Sequence, residues 1–149
     1  MEETKRFSTA ELMNGLLKSN SLDRYLKQHE PDMDLPAFHA YITDLCQKQG
    51  LVIGHVIEKS NIETSYGYQI FNGKRKPSRD MVLLLAFGFD GGVELAQTLL
   101  RMADASPLYP RMKRDAAILY CLHAHMSVVE TQDVLFDLSL PLLGGKRHA

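Results

Sequence analysis

Residues 51–78 read LVIGHVIEKSNIETSYGYQIFNGKRKPS, and the reading of this stretch decides the fold. Val56 and Ile57 sit inward in a short helix predicted over 51–59. Lys59, Ser60 and Asn61 follow as a turn, and Asn61 belongs to the residue types that tolerate left-handed backbone. A second helix is predicted over 62–71 with Ile62 in the core, and Asn72-Gly73 ends it. Lys74-Arg75-Lys76-Pro77 makes a basic loop, and Ser78 is placed to cap the helix that follows.

Outward from this stretch, almost everything reads as short helices between turn signals. On the N-terminal side, Phe38, Tyr41, Ile42 and Leu45 form one helical stripe that Gly50 ends. The segment 29–36, with two prolines and three acidic residues, reads as a connector to an N-terminal arm. In that arm Ser8 and Glu11 have capping-box spacing, and Ser21 can cap a further short helix. On the C-terminal side, helices are predicted over 79–87 and 93–103, then over 111–125 and from the Ser127–Glu130 capping box through Leu138. No internal repeat is evident, although the last two helices loosely echo the pair over 51–71. The organisation expected is a helical arm at 1–34, a main domain at 35–104 and a C-terminal helical extension at 105–149.

Composition narrows the function classes. The chain has 149 residues, 45% of them apolar, enough for a full core. Its 17 Lys and Arg nearly balance 18 Asp and Glu, which excludes a polyelectrolyte and confines any nucleic-acid contact to a local patch. Between Leu51 and Asp80 there are five Lys or Arg, and four of them fall within 74–79, where a fixed loop can present them to phosphates. Cys46 and Cys121 are read as buried reduced thiols. The six histidines, His123 and His125 included, make no metal-ligand pattern, and no nucleophile or phosphate-cradling loop accompanies the carboxylates. The longest apolar run, 81–89, falls short of the roughly 20 residues of a membrane span. A soluble cytoplasmic protein that is not an enzyme is expected, with no cofactor, metal, membrane or small-molecule partner.

The spacing of residues 51–78 suits a helix-turn-helix. Here the chain resembles the phage-repressor-like (Xre family) helix-turn-helix proteins. Leu51, Val56, Glu58, Lys59, Asn61, Ile62, Ser65, Ile70, Asn72-Gly73 and Lys74-Arg75-Lys76-Pro77-Ser78 carry the likeness, which runs without a gap from about residue 35 to 103. The resemblance implies an all-α, five-helix lambda-repressor-like DNA-binding domain, here flanked by the N-terminal arm and a C-terminal helical hairpin. It implies a transcriptional regulator that binds double-stranded DNA, often as a homodimer, and reads the major groove with its third helix. Thr64, Ser65 and Gln69 match base-contacting positions, and Asn72 and Lys74 match positions that hold backbone phosphates. Arg75, Lys76 and Arg79 are close enough to add charge, and Tyr66 and Tyr68 are candidates for phosphate or sugar contact in competition with packing.

Three residue choices depart from the family. Val52 and Ile53 replace a polar Thr-Gln pair that caps the second helix and grips a phosphate. Gly67 replaces a large aliphatic residue in the middle of the third helix, at a propensity cost of about 1 kcal/mol, which points to a close helix crossing with another backbone approaching at Gly67. Glu63 is locally favourable at a helix N-terminus, but facing phosphates it is repulsive unless it reads cytosine, and the third helix carries no Lys or Arg. These departures keep a second class open, a protein-interaction adaptor that retains the fold without specific DNA binding. The apolar residues of the C-terminal hairpin (Val128, Val129, Val134, Leu135, Phe136 and Leu138) either close the core or form a dimer interface.

Overall fold

A computed structural model describes residues 8–33 and 37–145. Among the described residues there are nine α-helices and no strand. The chain divides into two compact units, with the boundary between Pro36 and Ala37.

The first unit is a helical hairpin of α1 (Thr9–Lys18) and α2 (Leu22–Met33). Ser8 caps α1 by accepting a bond from the Glu11 N–H at 3.1 Å. The Tyr25 hydroxyl of α2 donates to the Leu12 carbonyl at 2.9 Å. α2 continues through Met33, so helix occupies much of the segment that reads as connector.

The second unit holds α3 (Phe38–Gln49), α4 (Ile53–Lys59), α5 (Thr64–Phe71), α6 (Arg79–Phe89), α7 (Gly92–Met102), α8 (Lys113–His123) and α9 (Val128–Asp137). Gly50 ends α3 in left-handed geometry, Ser78 caps α6, and Ser127 with Glu130 forms a complete capping box on α9. The core is continuous. Ile42, Ile57, Ile70, Leu83, Leu85, Leu99 and Leu100 share one cluster with Ile118, Leu122, Val128, Leu135 and Leu143. Val128 and Leu135 of α9 thus close the core, while Val129 and Phe136 on the same helix, and Leu138 just past its end, are exposed.

The second half of this unit is a duplication. Residues 79–108 and 114–143 carry matching polar contacts at an offset of 35 residues. Arg79 forms a two-pronged ion pair with Asp115, at 3.2 and 2.9 Å, and Arg114 forms the same pair with Asp80, at 3.0 and 2.9 Å. Arg79 also donates to the Ser106 and Pro107 carbonyls, and Arg114 to those of Pro141 and Leu142. The Tyr109 N–H donates to Asp115 and the Gly144 N–H to Asp80. Gln97 brackets the backbone of Leu108 with two bonds, and Gln132 does the same to Leu143. Positive φ recurs at the same offset, at Asp90 and His125 and again at Asp104 and Ser139.

The two helical pairs therefore repeat the same internal contacts and exchange the same ion pairs, in a pseudo-twofold arrangement. α6 packs on α7, α7 on α8, α8 on α9 and α9 on α6, so the four helices form a closed ring. The repeat escapes a reading of hydrophobic periodicity because the two halves differ where their surroundings differ. α6 is buried over eight consecutive residues, 82–89, because α4 covers the side that the ring leaves open. The crossing is close: a Cβ at Gly88 would collide with Ser60 Oγ and lie 2.6 Å from the Val56 carbonyl oxygen. On α8 the counterparts of Leu85 and Gly88 are Tyr120 and His123, and both are exposed. What the halves share is a few polar residues at fixed positions, Arg-Asp at 79–80 and 114–115 and Gln at 97 and 132.

Burial acts to raise the Asp80 carboxyl, but the bonds from Arg114 and the Gly144 N–H, with the charges of Arg114 and Arg79, outweigh it. Its folded-state value thus lies below the ordinary carboxylate range. A depressed carboxylate stabilises the fold above its unfolded value, about 3.9, and that contribution is lost as pH falls through the folded value. Urea unfolding across a pH series should therefore show stability dropping below about pH 4, with a shallower drop in Asp80→Asn. Identical pH dependence in the two proteins would contradict this assignment.

Candidate nucleic-acid interface

The turn between α4 and α5 is built by backbone bonds and one buried hydroxyl. Ser60 is fully buried, and its Oγ donates to the Val56 carbonyl at 2.6 Å. Asn61 takes positive φ, its N–H donates to Glu58, and Ile62 follows into the core. α5 then starts at Thr64, two residues later than the periodicity predicts. Glu63 stands outside the helix as its cap, and its carboxylate accepts the Ser65 and Tyr66 N–H groups at 3.1 and 2.8 Å. The charge that reads as repulsive is tied to the positive end of α5.

α5 buries Gly67, Ile70 and Phe71 and presents the opposite side. Gly67 is the close crossing that its helix position implies, and the neighbour is a side chain, not a backbone. A Cβ there would lie 2.5 Å from Ile57 Cγ2 and 2.9 Å from Cγ1, and Ile57 is itself fully packed. The exposed side carries Thr64, Ser65, Tyr68 and Asn72, with Gln69 half-buried at its edge. Residues spaced by one, four, five and eight lie on one face of a helix. Thr64, Ser65 and Gln69 thus share a surface. The Tyr68 hydroxyl rests against Gly54 of α4, while its ring stays substantially exposed.

The basic loop folds back over the end of α5. The Lys74 and Arg75 N–H groups both donate to the Gln69 carbonyl, and Asn72 Oδ1 accepts the Lys74 N–H at 3.1 Å. The Arg75 guanidinium stacks over the Tyr66 ring at 4.6 Å, and its Nε donates to Gln69 Oε1 at 3.0 Å. Tyr66, Gln69 and Arg75 are therefore one brace, with the Gln69 amide nitrogen and the terminal nitrogens of Arg75 still available. Lys74 and Lys76 are exposed, and among the described residues their ammonium groups have no partner.

Arg79 departs from the expectation of phosphate contact. Its guanidinium makes four bonds inside the protein, to Ser106, Pro107 and both oxygens of Asp115. It is a fastener of the ring, and the exposed cations of this stretch are Lys74, Arg75 and Lys76. Sequence reasoning also missed the Glu63 cap and the Tyr66–Gln69–Arg75 brace. The first has a signal in an acidic residue one position before a helix. The second has none, because it joins residues through a loop geometry. At the start of α4, Val52 is 58% exposed and supplies no side-chain cap. Among the described residues no three His, Cys, Asp or Glu come together as metal ligands, and no helix is long and apolar enough to cross a membrane.

No protein-family model, curated protein or solved structure matches this chain.

Two outcomes follow from this geometry. Gly67→Ala should lower the melting temperature by an amount corresponding to about 1–3 kcal/mol, and Gly67→Leu by more, because Ile57 has nowhere to move. A Gly67→Leu protein as stable as the parent would remove the crossing as the reason for the glycine. Arg79→Met leaves Asp115 buried and unpaired, so it should cost roughly 3–5 kcal/mol in urea unfolding. An Arg79 that acted only on phosphate would leave unfolding unchanged.

Proposed function

We propose that the unit beginning at Ala37 binds double-stranded DNA and acts as a sequence-specific transcriptional regulator, in the manner of the phage-repressor-like proteins it resembles. The observation that carries this reading is the surface of α5. A polar, exposed helix face lies beside a loop whose lysines have no partner among the described residues, and Glu63, at the start of that helix, is held as its cap. A short exposed helix with such a flank fits the major groove.

In this reading Thr64 and Ser65 contact base edges from the first turn of α5. Gln69 offers its amide nitrogen to a base while Arg75 holds its oxygen, which fixes the side chain's orientation and limits it to an acceptor-bearing edge. Asn72, Lys74, Lys76 and the open end of Arg75 hold phosphates, with Tyr66 and Tyr68 alongside. Phosphate contacts of this kind set the register and carry no sequence information themselves. Two copies of the chain would read the halves of a twofold operator.

Selection of bound duplexes from a random pool tests the proposal. A defined consensus should emerge, and log affinity should fall against log salt with a slope of about −3 to −5 per protomer. Gln69→Ala should flatten preference at one base pair, at a cost of about 1–3 kcal/mol on the selected site, and leave nonspecific binding intact. A pool that yields no consensus and a binding isotherm insensitive to salt would leave the adaptor reading in its place.

A further inference from the structure

The loop that enters α8 is the counterpart, 35 residues on, of the basic loop that enters α6. Arg111 stands where Lys76 does, Lys113 where Ser78 does, and Tyr109 where Lys74 does. The crossed ion pairs bring the N-terminal ends of α6 and α8 together. The Asp90–His125 contact at 3.0 Å brings their C-terminal ends together. The two helices therefore run in the same direction, and both entry loops leave the ring at one end. Between the loops lies the Arg79 guanidinium, bonded to the Ser106 and Pro107 carbonyls of the second loop's approach.

At that end Tyr109, Arg111, Met112 and Lys113 are all exposed. Arg111 and Lys113 make no hydrogen bond or ion pair with any described residue, in contrast to their neighbour Arg114, which is fully engaged with Asp80. The carboxylates nearby divide in the same way. Asp80 and Asp115 are neutralised by arginines, and Asp104 and Asp137 at the ends of α7 and α9 are the ones left exposed. The end of the ring thus presents two cationic segments, residues 74–76 and 111–113, with Asp104 lining the same hollow as Arg75 and Lys76, and the first segment is the one assigned above to phosphates.

We propose that Arg111 and Lys113 are a second phosphate-binding loop, which holds the DNA backbone beyond the stretch engaged by α5 and residues 72–76. The inference rests on the DNA-binding reading and extends its footprint. Duplex DNA carries a phosphate charge for about every 1.7 Å of axis, so a second cationic loop on the same end adds contacts without adding base readout. The repeat supplies the reason for its position: the pseudo-twofold turns the N-terminal ends of α6 and α8, and with them the segments that enter these helices, toward one end.

The test uses the full chain and a labelled duplex carrying the selected consensus with long flanks. In Arg111→Ala/Lys113→Ala the salt slope should become shallower by about 2, and affinity at low salt should fall roughly ten- to a hundredfold, equally for consensus and scrambled duplexes. Arg111→Lys should keep the parent's slope. Trimming the flanks should weaken the parent and leave the double variant unchanged. Both residues are exposed, so a melt identical to the parent's confirms that folding is intact. If Lys74→Ala/Lys76→Ala weakens binding while Arg111→Ala/Lys113→Ala matches the parent in slope and affinity, the second loop is overturned and the DNA-binding reading stands. If the parent itself shows no salt-dependent binding to any duplex, both fall together.

Discussion

The crossed pairing of Arg79 with Asp115 and Arg114 with Asp80 is the constraint on which the rest of the main unit depends. Each arginine is bonded at once to a carboxylate of the other helical pair and to carbonyls at the end of its own pair. Each carboxylate also accepts a backbone N–H from the chain segment leaving the ring. A half-buried ion pair contributes little by itself once desolvation is counted. Its value here is geometric, because planar bidentate contacts fix direction and register as well as distance. The four charged side chains set which helix ends meet, and the apolar residues fill the space that this defines.

That frame positions the candidate reading surface. α6 is held on one side by the ring and receives α4 on the other, at the Gly88 crossing. α4 in turn receives α5 at Gly67. Two glycines thus carry successive close approaches from the rigid ring to the exposed helix, and neither tolerates a side chain without displacing a buried neighbour. The outward face of α5 inherits its orientation from contacts on its inward face. The basic loop is fixed from both ends, by Gln69 of α5 and by the Ser78 cap of α6.

Several features separate the two halves of the duplication even though their polar fasteners agree. The α6 copy is covered by α4 and so carries an unbroken apolar run, whereas the α8 copy shows Tyr120 and His123 at the matching positions. The apolar residues follow local burial and so differ between the halves, whereas the directional contacts are the same in both. The same logic applies to the turn residues: Asp90 and His125 share positive φ because both end the first helix of a pair, although their side chains differ.

The sequence by itself determined that the chain is helical, where most of its helices lie, and the caps at Ser8, Ser78 and Ser127. Helical periodicity, Gly50, Asn61, Ser78 and the Ser127–Glu130 box act within a few residues, and local signals of that range are legible in a linear string. It also determined that Gly67 needed a close neighbour, because a glycine inside a helix carries a local cost that something else must offset. Only the tertiary structure decided that Arg79 is an internal fastener while Lys74 and Lys76 stay free, since the partner, Asp115, lies 36 residues away. Only it decided that Glu63 is a cap, that Arg75 braces Gln69, and that the last two helical pairs are one element built twice. Those outcomes depend on which distant groups meet at hydrogen-bond range. No periodicity records that, because the fold brings such residues together only after the local elements have formed.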